Sequence, residues 1–436
     1  MGKSCKIKDS AYFKRRNKMS LVKKPTTGMK DITPKEMAIR DYVLEEIRKT
    51  YTKFGFCHIE KPCVEHIENL SSKQGGENEK LIFKILKRGE KLDLTSQNEA
   101  DLVDSGLRYD LTVPLARYYS NNEANLPKPF KALQMGNVWR ADRPQKGRFR
   151  QFMQCDIDII GEPTNLAEIE LCMATTTLLS SLGFNGYKVR INDRRILKAM
   201  ADYSGFNVDN YDEIYIILDK MDKIGLDGVK EELIGAGYDE GAVNKYVGLF
   251  DSLSASDKPL DTLQGLVNEF DEGGIENLKE IFAGLSGVLS ASAELVFDPT
   301  LVRGMSYYTG TIFEIEMNEL NCSVAGGGRY DKMIGRFTGR DECACGFSIG
   351  FERIITIMLE KDMAVPGQIK KEAFLIEKGI EGERLGEIIK AAQEKRAEGN
   401  IVLLARMNKN KKFQKQQLME DGYTDFTDFY KDPLKN

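Results

Sequence analysis

Hydrophobic and polar positions change their spacing several times along the chain, and each change predicts a different element. Apolar residues recur at helical spacing between positions 37 and 54. They follow Thr33, Pro34 and Glu36, which have the pattern of a capping box with proline at the first helical position. Gly55 then ends the predicted helix. We therefore expect ordered structure to begin near Pro25 and to open with this helix.

Alternation of apolar and polar residues predicts several strands in the first two hundred residues. Residues 130–139 and 151–160 predict two antiparallel strands joined by a polar, basic loop. Residues 107–119 are expected to begin extended and to turn helical after Pro114. The other elements predicted here are strands at 56–60, 81–86 and 187–191 and a helix at 166–182.

The composition and the hydrophobic pattern change between residues 202 and 292. This segment is acidic, has a helical pattern and is interrupted by glycines. This segment predicts a helical insertion in a larger domain. The elements predicted after it are strands at 295–297, 311–317 and 323–325, a strand running into a helix at 346–359, and a strand–helix alternation with strands at 373–376 and 401–405.

These elements and the 436-residue length predict an α+β protein with more than one domain. The predicted division is a disordered leader at 1–24, a core made of 25–201 and 293–365, the insertion at 202–292, and a small α/β domain at 370–436.

The amino-acid composition disfavours some kinds of active site. The eight cysteines are scattered without a C-x-x-C pair, and there are only two histidines, so a zinc-type protein site and histidine acid–base catalysis are both disfavoured. No apolar run is long enough to span a membrane, and the basic N-terminus lacks the apolar segment of a secretory signal. We expect a cytoplasmic protein without a membrane partner, although an organelle-targeting leader stays open.

A cationic segment connects the two long predicted strands. Residues 140–150 contain four arginines, one lysine and Asp142. A loop of this composition is often only a solvated surface. Here arginine outnumbers lysine, and the flanking strands fix the loop at its base, so we favour binding of phosphate groups.

Polar residues at alternate positions mark a second candidate site. Asp110 and Thr112 are two residues apart, and Gln154 and Asp158 are four apart, so each pair is expected on one face of a strand. A sheet face with carboxylates, a hydroxyl and an amide suits a small amino-bearing ligand. The alternative is a wet outer face of the sheet.

Three further segments bring glycines, arginines and tyrosines. Residues 326–331 form a glycine run that lacks the spacing of a phosphate-binding P-loop and is by itself a weak signal. Residues 301–310 contain Arg303 with the pair Tyr307 and Tyr308, and residues 347–353 place Arg353 early in a predicted helix.

Taken together, these segments resemble the histidyl-tRNA synthetases, which are class II aminoacyl-tRNA synthetases, from about residue 25 to 360 and more weakly to the end. Pro62 stands where the proline of class II motif 1 would be, residues 140–161 resemble motif 2, and residues 346–353 resemble motif 3. Residues 301–314 and 325–331 resemble the two signatures that set the histidine enzymes apart. The implied fold is an antiparallel catalytic sheet with a helical insertion.

The resemblance implies a ligase that uses ATP and Mg²⁺ to join L-histidine to tRNA(His). It implies that Arg140 and Arg303 are catalytic and hold the α-phosphate. It assigns ATP contacts to Arg140, Asp142, Arg148 and Arg353. The residues it implies for histidine binding are Asp110, Leu111, Thr112, Arg140, Gln154, Asp158, Tyr307, Tyr308 and Tyr330.

The resemblance also implies contacts with the RNA acceptor end through Gln145, Lys146, Arg148 and Arg150, and a homodimer built on motif 1. Asp142, Asp110 and Asp158 depart from the glutamates found in many class II or bacterial relatives. The tail after Glu372 is shorter than the usual anticodon-binding domain but keeps a basic segment at 406–415.

Two alternatives stay open on sequence alone. One is a non-catalytic, histidine-sensing regulatory subunit of ATP phosphoribosyltransferase, which the short tail favours and the intact arginines Arg303 and Arg353 oppose. The other is an RNA-binding or stress-sensing module derived from a synthetase.

Overall fold

A large mixed sheet supports most of the chain. The computed structural model describes residues 21–71, 80–144, 149–303, 307–317, 322–363, 365–366 and 369–432. The chain divides into two units, residues 1–31 with 45–354 and residues 32–44 with 355–436. The sheet and the site that it carries belong to the first unit.

The strands, in chain order, are β1 Cys57–Ile59, β2 Val64–His66, β3 Lys84–Leu86, β4 Val103–Leu107, β5 Phe130–Trp139, β6 Gln151–Ile160, β7 Tyr187–Asp193, β8 Ala293–Phe297, β9 Thr311–Met317, β10 Cys322–Arg329, β11 Ala344–Ile349, β12 Lys371–Ile376, β13 Ile401–Arg406 and β14 Asp425–Phe429.

The α-helices are α1 Pro34–Lys53, α2 Ile67–Leu70, α3 Glu99–Leu102, α4 Thr112–Asn122, α5 Leu166–Ser181, α6 Arg194–Ser204, α7 Tyr211–Leu218, α8 Met221–Gly235, α9 Glu240–Ser254, α10 Pro259–Val267, α11 Gly274–Leu285, α12 Asp331–Thr338, α13 Phe351–Glu360, α14 Gly382–Ala397 and α15 Lys411–Glu420. Short 3₁₀ turns occupy Gly89–Lys91, Glu123–Asn125 and Val208–Asn210.

Eight strands form the main sheet in the order β1-β5-β6-β11-β10-β9-β7-β8. The predicted antiparallel pair is confirmed, because β5 and β6 pair from Phe130 with Ile160 to Trp139 with Gln151. Strand β11 joins the two halves of the sheet, β1-β5-β6 and β10-β9-β7-β8. It pairs antiparallel with β6 on one side and with β10 on the other. The predicted α+β fold with a largely antiparallel sheet is thus confirmed.

Three local predictions were wrong. Asp110 and Thr112 do not share a strand face, because Asp110 lies in a turn and Thr112 is the first residue of α4. The helix accordingly begins before Pro114, and the Asp110 carboxylate accepts the Val113 N–H at 3.1 Å as a cap for its first turn. The strand predicted at 323–325 extends through the glycine run to Arg329.

Residues 202–292 are largely helical, as predicted, and contain α7 to α11 together with the end of α6. Aromatic contacts stabilise the packing of this segment. The ring centres of Phe206 and Tyr246 are 5.5 Å apart, and the two rings meet edge to face. The limits 202 and 292 as boundaries of a separate insertion remain a prediction.

The second unit contains a three-stranded parallel sheet in the order β13-β12-β14. The predicted strand–helix alternation is confirmed, and β14 is an additional strand that the pattern did not predict. Its core is formed by Phe374, Ile376, Ile388, Ala392 and Val402 with Ile380. Within the described part of the chain, no helix has both the length and the apolar character needed to cross a membrane.

Candidate active site

Most of the side chains that the sequence singled out line one cavity. It encloses about 510 Å³ over strands β6, β10 and β11, a volume typical of small-ligand sites. The predicted residues that line it are Asp110, Thr112, Arg140, Asp142, Gln154, Asp158, Arg303, Tyr307, Tyr308, Tyr330 and Arg353.

Other predicted residues lie elsewhere. Leu111 is buried beside Asp110, but it is not one of the residues that line the cavity. Arg150 lies at the base of the basic loop, where its Nε donates to the Asp142 carbonyl at 3.0 Å. Gln145, Lys146 and Arg148 fall outside the described residues.

Asp158, like Asp110, is almost completely buried at the cavity. The Tyr330 hydroxyl donates to its Oδ1 at 2.6 Å, and the Gln134 amide donates to its Oδ2 at the same distance. Burial raises the pKa of Asp158 to about 6, while Tyr330 and the nearby Lys61 act in the opposite direction. These bonds fix the orientation of the carboxylate before any ligand arrives.

Glycine on the neighbouring strand makes room for this carboxylate. Gly346 of β11 pairs with Asp158 of β6, and a Cβ on Gly346 would lie 2.1 Å from Asp158 Oδ1. A Cβ on Gly327 would in turn lie 1.9 Å from the Gly346 carbonyl oxygen. The glycines of this sheet therefore allow strands and buried side chains to approach closely.

Two buried oxygen atoms at the cavity have no hydrogen-bond partner among the residues that the structure describes. They are Asp110 Oδ2 and Gln154 Oε1. Burial raises the pKa of Asp110, opposed by the Val113 N–H and the charge of Arg140. Buried acceptors are normally satisfied, so this pair points to a ligand that donates hydrogen bonds, such as an ammonium group.

Sequence reasoning missed two buried ionisable residues in this region, Asp156 and Lys61. Asp156 shares the β6 face with Gln154 and Asp158, and the spacing of two residues was a signal for it. Lys61 is 5% exposed and donates to the Leu111 carbonyl at 3.2 Å. Burial lowers the pKa of Lys61 to about 7, opposed by Asp158 and Asp156. A lone lysine before a proline gives no local signal of such burial.

Arg190 of β7 and the three arginines that the sequence singled out also line the cavity. Arg303 donates to Glu314 at 2.6 Å, and within the described part of the chain its buried Nε has no partner. A Cβ on Gly326 would lie 2.5 Å from the Arg303 Cζ, so that glycine leaves space for the guanidinium. Arg303 also has a left-handed backbone, with φ of 62°, which is uncommon for a residue with a side chain.

The other two arginines that the sequence singled out are held by backbone oxygens. Arg140 donates from Nε to the Tyr109 carbonyl at 2.9 Å and lies 5.2 Å from the Phe152 ring centre. Arg353 donates to the Ser323 carbonyl. Together with Arg190, four guanidinium groups from distant parts of the chain thus line one cavity, an arrangement suited to a polyphosphate.

The helical segment supplies a further wall that the sequence did not predict. Leu218 at the end of α7, Asp219, and Met221 and Asp222 in α8 line the cavity. Asp222 pairs with Arg190 of β7 at 3.3 Å. The cavity is therefore enclosed by both the sheet and the helices inserted into it.

Comparison with known proteins agrees with this geometry. The sequence profile of the histidyl-tRNA synthetase family matches residues 28–354. The chain is 44% identical to the histidine–tRNA ligase of Leifsonia xyli subsp. xyli over 355 residues, which cover 79% of this chain and 82% of that protein. It is 41% identical to the probable histidine–tRNA ligase of Tropheryma whipplei strain Twist over 420 residues, covering 94% and 96%.

A solved structure gives the same result at the level of the fold. The histidyl-tRNA synthetase from Nostoc sp. PCC 7120 superimposes with a TM-score of 0.75 at 26% identity, covering 92% of this chain and 90% of that one. The profile match covers well over half of the chain. Both relatives are more than 40% identical to it over most of their length, which is enough to assign a common family. The chain belongs to the histidyl-tRNA synthetase family.

Proposed function

We propose that this protein is a histidine–tRNA ligase that activates L-histidine with ATP and transfers it to the 3′ end of tRNA(His). The observation that carries this proposal is the polarity of one cavity. One part of its lining, the acidic end, consists of Asp110, Gln154 and Asp158, and another, the cationic end, contains Arg140, Arg303 and Arg353. The relatives named as histidine–tRNA ligases support the same activity.

The acidic end is the proposed histidine site. Asp110 Oδ2 and Gln154 Oε1 would accept hydrogen bonds from the α-ammonium group, with the Thr112 hydroxyl beside them. Asp158 and Tyr308 would bracket the imidazole, whose two ring nitrogens present different hydrogen-bonding demands. A site built for both nitrogens rejects amino acids that lack them, since its buried groups would then stay unpaired.

Tyr307, Tyr308 and Tyr330 would form the aromatic lining of that site. Tyr307 and Tyr308 have ring centres 4.7 Å apart, and Tyr307 and Tyr330 have theirs 6.0 Å apart. Leu111 completes the turn between Asp110 and Thr112, and its contribution to histidine binding is through the backbone that Lys61 holds.

The cationic end is the proposed ATP site. A histidine carboxylate oxygen attacks the α-phosphorus of ATP, a new P–O bond forms, and the bond to pyrophosphate breaks. Negative charge grows on the phosphate oxygens, so Arg140 and Arg303 would stabilise the transition state from fixed positions. Arg353 would hold the adenine and the γ-phosphate, with Asp142 and Arg148 as further nucleotide contacts.

The donor set of the cavity fits Mg²⁺ that arrives with ATP. Magnesium keeps several waters and binds mostly through phosphate oxygens with one or two carboxylates. The described residues contain no group of three or more potential metal ligands, and a metal held in this way needs none. Glu352, which lies at the cavity wall next to Arg353, is the proposed carboxylate. Mg²⁺ would neutralise phosphate charge.

The remaining partners follow the family. Gln145, Lys146, Arg148 and Arg150 would contact the acceptor end of tRNA(His). The protein would act as a homodimer in the cytoplasm. The basic residues near the start of α15, among them Lys409 and Lys412, are the proposed contacts of the small C-terminal domain with RNA.

Histidine-dependent exchange of pyrophosphate into ATP tests this proposal. We expect exchange with L-histidine and not with the other amino acids, and charging of full-length tRNA(His). An absence of exchange would overturn it in favour of the histidine-sensing regulatory subunit. Charging of an acceptor-stem minihelix as efficient as that of full tRNA would show that the C-terminal domain contributes little.

A further inference from the structure

Two polar side chains that line the cavity, the buried Asp156 and the half-buried Ser348, have no assigned role. Ser348 of β11 is directly opposite Asp156 of β6 in the sheet register. The Ser348 hydroxyl donates to Asp156 Oδ1. The Gln154 amide nitrogen donates to the Ser348 oxygen at 3.1 Å. The three side chains form one continuous chain of hydrogen bonds that ends at the cavity.

Counting protons along this chain fixes its direction in the state in which Asp156 is ionised. A serine hydroxyl has one proton, and an ionised carboxylate has none. Ser348 must therefore give its proton to Asp156 and accept one from Gln154. An amide has a donating end and an accepting end, so the NH₂ of Gln154 must face Ser348. Its Oε1 is left at the cavity wall, where it is buried and without a partner.

We propose that Asp156 and Ser348 are positioning residues that set the orientation of the Gln154 amide and so present Oε1 to the α-ammonium group of the substrate. This inference rests on the proposed function, because the ammonium belongs to the amino acid. The same amide turned by half a rotation would present NH₂, which cannot accept a hydrogen bond from an ammonium group.

Asp156, Ser348 and Gln154 together form a hydrogen-bonded relay. The charges around Asp156 couple the order of this relay to ligand binding. Burial raises the pKa of Asp156 to about 8, Asp158 and Asp110 act in the same direction, and Ser348 and Lys61 oppose them. The empty cavity thus favours a protonated Asp156 near neutral pH, and a protonated acid no longer dictates the direction of the Ser348 proton. An incoming ammonium group favours the ionised acid. Binding and ordering of the relay reinforce each other.

The test compares L-histidine with an analogue that lacks only the α-amino group, 3-(imidazol-4-yl)propionate. Both are measured as ligands of the full chain, by calorimetry or as competitors in exchange. We expect Ser348→Ala and Asp156→Ala to weaken histidine binding roughly tenfold, because a bond to a charged group is lost. Binding of the analogue should change by less than about twofold, since the relay serves only the amino group.

Ser348→Thr is the matched control, because it keeps the hydroxyl and should retain the affinity of wild type for histidine. Equal losses for histidine and the analogue, no loss in either alanine variant, or a loss in Ser348→Thr as large as in Ser348→Ala would each overturn the relay. If Ser348→Ala fails to fold, Asp156→Ala decides. A wild-type protein without histidine-dependent exchange overturns the proposed function itself, whereas an active wild type with neutral variants overturns only the relay.

Discussion

The acidic and the cationic residues of the cavity differ in how far they are exposed to solvent. At the acidic end, Asp158 and Gln134 are nearly inaccessible to solvent and are bound to each other. At the cationic end, Arg140, Arg303 and Arg353 stay partly exposed. The acids are nearly excluded from solvent, whereas the arginines are oriented by hydrogen bonds but keep part of their surface accessible.

This difference matches two kinds of recognition. Choosing one amino acid among many needs buried partners that a wrong ligand would leave unpaired. Holding a phosphate chain needs strong charges, and these can act while part of the site is open to water. Substitutions at the two ends should therefore affect different kinetic constants.

The largest effect is expected at the cationic end. Arg303→Ala should fold and lose histidine-dependent ATP–pyrophosphate exchange by roughly 10²–10³-fold, because one fixed cation at the reacting phosphate is gone. The measurement is initial exchange rate at saturating substrates. Arg384→Ala, which removes an exposed arginine of α14 bound to Glu387, is the matched control and should keep full activity. Retained exchange in Arg303→Ala would contradict its catalytic assignment.

A smaller effect with a different signature is expected at the acidic end. Asp158→Ala should raise the KM for histidine by roughly 10- to 100-fold, because it removes a hydrogen bond to the imidazole and leaves Tyr330 and Gln134 unpaired. The KM for ATP should change far less. Determining both constants on one preparation checks this, and equal changes in the two would remove the distinction between the ends.

Gly346→Ala should show whether the space beside Asp158 matters. The added methyl would stand 2.1 Å from Asp158 Oδ1, so the carboxylate must move and the KM for histidine should rise roughly tenfold. Gly386→Ala in α14 is the control, because a Cβ there meets nothing within 4 Å. We expect that control to be active and slightly more stable. An unchanged KM in Gly346→Ala would show that the pocket tolerates displacement of its acid.

The last prediction concerns the stability of the ligand-free protein. The pKa of Asp156 is raised from 3.8 to about 8, so its protonated form is favoured by folding. The stability that this contributes is complete below the unfolded pKa and is lost as pH rises through about 8. Asp156→Asn cannot ionise. Its Tm relative to wild type should therefore increase between about pH 5 and about pH 8. A constant difference across that range would contradict the raised pKa.

Local pattern predicted the sheet where strands are long and alternate in polarity. Strands β5 and β6 were placed to the residue because apolar positions and a polar loop define both ends. The glycine run at 326–328 was only partly recognised, because isolated glycine weakens a strand. Its place inside β10 follows from neighbours: the space that a side chain on Gly327 would need is filled by the Gly346 carbonyl.

The sequence predicted many of the polar residues that line the cavity and missed others, while their roles stay predictions. Asp110 and Thr112 were correctly paired but assigned to a strand, since a turn followed by a helix start also brings nearby residues together. Asp156 was overlooked although it shares the face of Gln154 and Asp158. Lys61 is buried by segments far away in sequence, so its neighbourhood is a property of the tertiary structure alone.

Strand β11 has a consequence for the timing of synthesis. It lies between β6 and β10 and brings Gly346 and Ser348 to the residues of the cavity. A nascent chain that has not yet released residue 349 from the ribosome lacks the strand that joins the two halves of the sheet. Such a chain can bind neither substrate in the arrangement described above. A protein proposed to supply translation can thus begin to act only after most of its own translation is complete.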